Sequence, residues 1–168
     1  MAMRLGTLAK SLAITGAVTA GFYFATGPAM EDKRLLAQQA LAADEHPAVV
    51  YRHGLMQTLK WHIGHLGGMA KGEMEFDAEA ANRHATVISV LATAIPEGFP
   101  EGSDTENADV LPGIWEDFEG FEESADNLHV AAAELASADD VSADNLGNYV
   151  KEIGGACGSC HEDFRPED

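Results

Sequence analysis

"GGACGSCHEDFR", residues 154–165, holds both cysteines of the 168-residue chain. Cys157 and Cys160 stand three apart, and His161 follows at once. A structural zinc site normally needs four ligands, and there is no second cysteine pair. A thioredoxin-like redox pair usually opens a helix after a strand, and nothing strand-like precedes this one. An exported protein can also close so short a spacing as a disulfide. The adjacent histidine favours another chemistry, because C-x-x-C-H is the attachment pattern of a c-type haem. On a helix, residues three apart share a face. Two thiols so placed reach the two vinyl groups of a porphyrin while the next imidazole meets the iron. The expected cofactor is therefore one covalently bound haem c, tethered by Cys157 and Cys160, with His161 as its proximal metal ligand.

Working back from the motif, Leu146, Tyr149, Val150 and Ile153 recur at helical spacing, so the cysteines end a helix that Ser142 would cap. Residues 109–137 carry Ile114, Phe118, Phe121, Ala125, Leu128, Ala132 and Leu135 at threes and fours. They predict a second helix, interrupted at Pro112-Gly113. "PEGFPEGSDTENAD", residues 96–109, is the one long loop. Before it, Asp77 caps a helix that runs to Pro96. Pro47 opens the first helix of the set, with Asp44 or His46 as its cap and an apolar stripe of Arg52, Met56, Leu59, Ile63, Leu66 and Ala70 ending near Lys71-Gly72. Four such helices with one longer connection predict an all-α, antiparallel four-helix bundle over residues 47–168. The low aromatic content of 7% and the abundance of alanine agree with an all-helical chain.

Two further segments precede the bundle. Residues 11–30, "SLAITGAVTAGFYFATGPAM", contain no charge and follow Arg4 and Lys10. As a helix at about 1.5 Å per residue they just cross a hydrocarbon core of roughly 30 Å. The flanking charges put the amino terminus in the cytoplasm and the remainder outside. The expectation is a single-pass transmembrane anchor over residues 1–30; the alternative is a signal segment cleaved to release a soluble periplasmic protein. Residues 31–46 form a linker. From residue 31 onward the chain holds 8 basic and 28 acidic residues. So acidic a surface repels phosphate backbones and excludes nucleic acid as a partner. No glycine-rich phosphate loop or Ser/His/Asp pattern is present, and no distal acid-base pair can be named, so an enzyme is not expected.

These blocks, taken together, resemble class II cytochromes c, the cytochrome c′ superfamily. The matching stretches are "YRHGLM" (51–56), "MAKGEMEFDAEA" (69–80), "GFPEGS" (98–103), "IWEDFEGF" (114–121) and the haem motif itself, and they cover residues 50–165. C-x-x-C-H alone occurs in many cytochromes; its carboxy-terminal position together with the other blocks is the specific part. The resemblance implies a haem-binding four-helix bundle in the periplasm, and leaves open a monomer or a homodimer.

What occupies the iron's sixth position decides between electron transfer and gas binding. In an up-down-up-down bundle the start of the first helix lies beside the end of the last. Met56 falls roughly 40° from the centre of the apolar stripe and His53 about 100° from it, which points Met56 inward and His53 to the edge. The resemblance implies leucine, phenylalanine or tyrosine at the position of Met56 in five-coordinate members that bind nitric oxide or carbon monoxide, and a methionine ligand in low-spin members. The expectation is His161/Met56 ligation in a membrane-anchored electron carrier between redox complexes of a respiratory or photosynthetic membrane. The alternatives are an open, gas-binding site or His53 as ligand. Arg52 is placed either to pair with a haem propionate or to make a surface ion pair. Arg165 matches a basic position of the family. Trp115 and Phe118 match aromatic positions near the haem, and are equally suited to an ordinary core. His62, His65, His84 and His129 read as surface residues rather than a metal site.

Overall fold

The computed structural model describes residues 46–105 and 109–166. The segment expected to be a membrane anchor or signal, residues 1–30, and nearly all of the expected linker fall outside the described residues. Among those described there is no strand, and no helix is long and apolar enough to cross a membrane. Helix α1 is Pro47–Ala70, α2 Ala78–Thr93, α3 the single turn Gly113–Glu116, α4 Phe118–Ser137 and α5 Leu146–Phe164; a 3₁₀ turn, Pro96–Gly98, follows α2.

Local chemistry sets the boundaries. Pro47 needs no donor at the first helical position, and the Nδ1 atom of His46 accepts from the Ala48 amide at 3.2 Å. Asp77 caps α2 by accepting from the Ala80 amide at 3.0 Å. Two expectations need correction. The helix expected from residue 109 is instead two helices broken at Asp117, whose backbone leaves helical geometry (φ −133°, ψ 63°) so that its carboxylate can accept from the Gly120 amide and cap α4. Helix α5 begins at Leu146 rather than after Ser142. The Ser142 amide donates to Asn145 Oδ1 at 2.8 Å, and the residues between form turns.

The four long helices form a closed ring, in which α1 packs on α2 and α5, and α4 packs on α2 and α5. Cross-helix contacts fix the directions. The Tyr51 hydroxyl donates to the Ala94 carbonyl and His62 meets His84, so α1 and α2 are antiparallel. Asn82 donates to the Ala138 carbonyl while Ser89 meets His129, so α2 and α4 are antiparallel as well. Buried Ala81, Ala85 and Ala92 on α2 face a bundle interior shared with Ala125 and Ala132 of α4, where small side chains permit close helix approach. Leu66, Ile88, Ile114, Leu135, Leu146, Ile153 and Val49 are essentially inaccessible to solvent. Met56 and Ile63, expected in the core stripe, are only half-buried, and Leu55 lies deeper than Met56. Both half-buried residues pack at the edge of the core and line a cavity.

Between α1 and α2, His62 Nδ1 lies 2.7 Å from His84 Nδ1, so one ring donates a proton and the other accepts it. Burial, then the nearby His65, lowers the pKa of His62; burial, then His62, His65 and Arg83, lowers that of His84. In the unfolded chain both return to ordinary values near 6.5 and take up protons first. Their contribution to stability is therefore present above about pH 6.5 and is lost as pH falls toward the depressed folded values. In chelator-treated buffer the melting temperature should fall between about pH 7.5 and pH 5.5, and His62→Gln/His84→Gln should flatten that fall. An identical pH slope in the double variant would remove these residues from the effect.

Candidate haem site

The first half of α1, the first half of α4 and the end of α5 enclose a cavity of about 480 Å³. That size is ordinary for a cofactor pocket. Cys157, Cys160 and His161 line it from α5, and Met56, His53 and Lys60 from α1. Its apolar walls include Leu59, Ile63, Ile88, Ile114, Leu128 and Ile153. Phe99, Phe121 and Phe164 complete it, with Phe121 packed edge-on to the other two at centroid distances of 4.7 and 5.3 Å. The Leu111 amide donates to the Phe164 carbonyl at 3.0 Å, tying the approach to α3 to the last turn of α5.

No disulfide joins Cys157 and Cys160, and burial opposes ionisation of each as a thiol before haem is attached. It raises the pKa of Cys157, and together with Cys157 and Asp163 it pushes Cys160 up to about 11. Redox-active C-x-x-C pairs have the opposite property, a lowered thiol pKa. At His161, burial and then the Arg165 guanidinium lower the pKa, which keeps the imidazole neutral with a lone pair available.

Arg52 is the one charged side chain of the cavity wall that is almost fully buried, with 2% of its surface exposed. Its Nη1 donates to the Gly98 carbonyl and to Ser103 Oγ, both at 3.3 Å, and its Nη2 donates to the Ser103 carbonyl. The guanidinium lies 4.9 Å from the centroid of the Phe99 ring. Burial lowers its pKa, and the Asp104 carboxylate acts in the opposite sense. Arg52 thus pins the loop after α2 against α1. Gly98 permits this approach, because a Cβ there would stand only 3.1 Å from a Tyr51 ring carbon and 3.2 Å from the Arg52 Cβ. The Arg52 Nε is buried and has no hydrogen-bond partner among the described residues.

Of the residues singled out from sequence, Cys157, Cys160, His161, Met56, Arg52 and Arg165 are brought together around one cavity, and His53 stands at its rim with Nε2 3.9 Å from Asp109. Trp115 and Phe118 do not line it. Trp115 donates its indole N–H to the Phe99 and Pro100 carbonyls at 3.0 and 3.2 Å, and so holds the same loop as Arg52 from the other side. Phe118 packs against the core and the Phe121 ring. The aromatic lining comes instead from Phe99, Phe121 and Phe164. Phe121 was visible as part of the α4 stripe, and Phe164 stands one turn beyond His161; Phe99 sits in a loop with no periodicity to mark it.

A family model described as Cytochrome C′ matches residues 47–165. The chain belongs to the cytochrome c′ family. Cytochrome c-554 of Cereibacter sphaeroides is 40% identical over 141 residues, covering 80% of this chain and 92% of that protein. Cytochrome c-556 of Agrobacterium fabrum is 30% identical over 165 residues, covering 98% of each. The solved structure titled cytochrome c′ from Rhodobacter spheriodes superposes with a TM-score of 0.68 at 32% identity, covering 74% of this chain and 99% of that one. The cofactor of this cytochrome c′-family chain is a covalently attached haem c. The cavity fits it: two thiols one turn apart, the next residue's neutral imidazole and apolar walls. The haem supplies reversible one-electron chemistry and an iron that accepts axial ligands.

Removing the Arg52 guanidinium leaves the Gly98 and Ser103 carbonyls without their donor. Arg52→Met should therefore lower unfolding free energy by about 2 kcal/mol in denaturant titrations. A loss below about 0.5 kcal/mol would mean the loop is held by Trp115 alone.

Proposed function

We propose that the chain is a periplasmic single-electron carrier whose haem is tethered through Cys157 and Cys160 and ligated by His161 and Met56. The observation that carries this reading is that the half-buried Met56 side chain, at the edge of the core, lines the same cavity as His161. Such an axial pair raises the reduction potential and moves electrons with little rearrangement. A methionine that only filled core space would be expected where Leu55 is, among the closely packed side chains.

The charge around the cavity refines the partner. Arg52, Lys60 and Arg165 line it, together with His53 and His161, against Asp109 as the one carboxylate of its lining among the described residues. The cavity is thus far less acidic than the domain as a whole. A redox complex of the membrane approaching the haem meets a mixed surface, while the acidic remainder of the shell turns other faces away. Export is supported by the uncharged stretch 11–30, which serves either as an anchor that raises local concentration near such complexes or as a removed signal. A homodimer is compatible with this role.

A second reading, a five-coordinate haem that binds nitric oxide or carbon monoxide, is favoured by the family description and by the name of the solved relative, both cytochrome c′. Absorption spectroscopy separates the two. With Met56 as ligand, the reduced protein shows a sharp α-band, the oxidised protein a sulfur-to-iron charge-transfer band, and carbon monoxide binds slowly. Met56→Ala and the volume-conserving Met56→Leu should both give high-spin spectra, immediate binding of carbon monoxide and a lowered potential. A wild-type protein already high-spin, with neither variant changing its spectrum, makes gas binding the function.

A further inference from the structure

Outside the haem cavity, His46 caps α1, and the other four histidines are not scattered surface residues. His129 is apart from the others, bonded through Nδ1 to the Ser89 hydroxyl at 2.9 Å and to its carbonyl at 3.0 Å. The remaining three gather where α1 and α2 face each other. His62 and His65 stand three apart on α1 and so share a helix face. His84 reaches them from α2, with its Nδ1 2.7 Å from His62 Nδ1 and its ring stacked on His65 at a centroid distance of 4.8 Å. All three are half-buried, which leaves the cluster reachable from solvent.

We propose that His62 and His84 form a binding site for a divalent transition cation, with zinc as the reference ion, and that His65 joins as a third ligand. Two imidazole nitrogens already converge on one point. A tetrahedral zinc ion holds nitrogen ligands at about 2.0–2.1 Å, which separates two of them by roughly 3.3 Å. The His62–His84 pair therefore has to open by only about 0.6 Å to admit the ion. The proton between the rings does not have to leave the protein. The ring that donates through Nδ1 becomes its Nε2–H tautomer, and both Nδ1 lone pairs then face the metal.

His65 is prepared differently. Its Nδ1–H donates to the Trp61 carbonyl at 2.8 Å, which leaves Nε2 as the lone-pair nitrogen. Stacked on His84, that nitrogen does not yet share the convergence point. As the side chains stand, no group of three His, Cys, Asp or Glu among the described residues could hold a metal ion, so the pair His62 and His84 is the preformed part of the site. A rotation of the His65 ring, or water, completes the coordination. The neighbouring cation Arg83 is engaged by Glu79 at 2.6 Å, which offsets its repulsion of an incoming ion. Burial keeps His62 and His84 neutral near pH 7, the state a ligand needs. The site lies on the α1–α2 seam, and an ion there ties those helices together.

The test is calorimetric titration of zinc chloride into chelator-treated, haem-loaded full-length protein near pH 7.5. One ion per chain should bind. His62→Ala and His84→Ala should each weaken it at least about tenfold, and His65→Ala should weaken it less. Zinc should also raise the melting temperature of the wild type and not of His62→Ala/His84→Ala. Unchanged haem absorption and helical circular dichroism verify folding of the variants. Where they do not fold, Cu²⁺ bound to wild-type protein at one equivalent gives an independent reading: imidazole nitrogen hyperfine structure in its electron paramagnetic resonance spectrum supports the site. Equal zinc affinity in wild type and double variant, or oxygen-only copper coordination, overturns it.

Discussion

The end of α5 must lie against the start of α1. A C-x-x-C-H motif holds a haem only from one side, and the opposite wall has to come from another part of the chain. The antiparallel ring of helices supplies it, because the last turns of α5 and the first turns of α1 reach the same end of the bundle. Cys157, Cys160 and His161 then face Met56 and His53 across one apolar cavity. Most other features of the structure serve to keep that end in register.

The loop after α2 is the clearest case. It is long and irregular, yet it is clamped from two sides, by the Arg52 guanidinium on the Gly98 and Ser103 carbonyls and by the Trp115 indole on the Phe99 and Pro100 carbonyls. The clamp delivers Phe99 into the cavity wall against Phe121. Burying a guanidinium is costly unless its donors are used. Arg52 uses both terminal nitrogens on backbone carbonyls, which is how a guanidinium is held inside the fold at the cavity wall.

Much of this was legible in the sequence, for definable reasons. Helices α1 and α2 announce themselves through period, Pro47 and the Asp77 cap, and the haem motif fixes its own chemistry by spacing. The residues misplaced from sequence share a cause. Asp117 interrupts what reads as one continuous helical phase; Trp115 and Phe118, for which the family resemblance implied a place near the haem and periodicity allowed an ordinary core role, pack against the core, and Phe121 lines the cavity. Ser142 looked like a cap because turns built on Asn145 have no periodic signature. Arg52 sat in the apolar stripe for a reason that periodicity does not contain: its partners are backbone carbonyls 46 and 51 residues away. The histidine cluster likewise arises only when α1 and α2 are set side by side.

Underlying everything is the covalent bond between porphyrin and the last helix. It is tested most directly by tandem mass spectrometry of the native protein after denaturation and proteolysis. The peptide containing Cys157 and Cys160 should carry the mass of one haem, with neither thiol open to alkylation. Two freely alkylated cysteines on an unmodified peptide would contradict the account at its root.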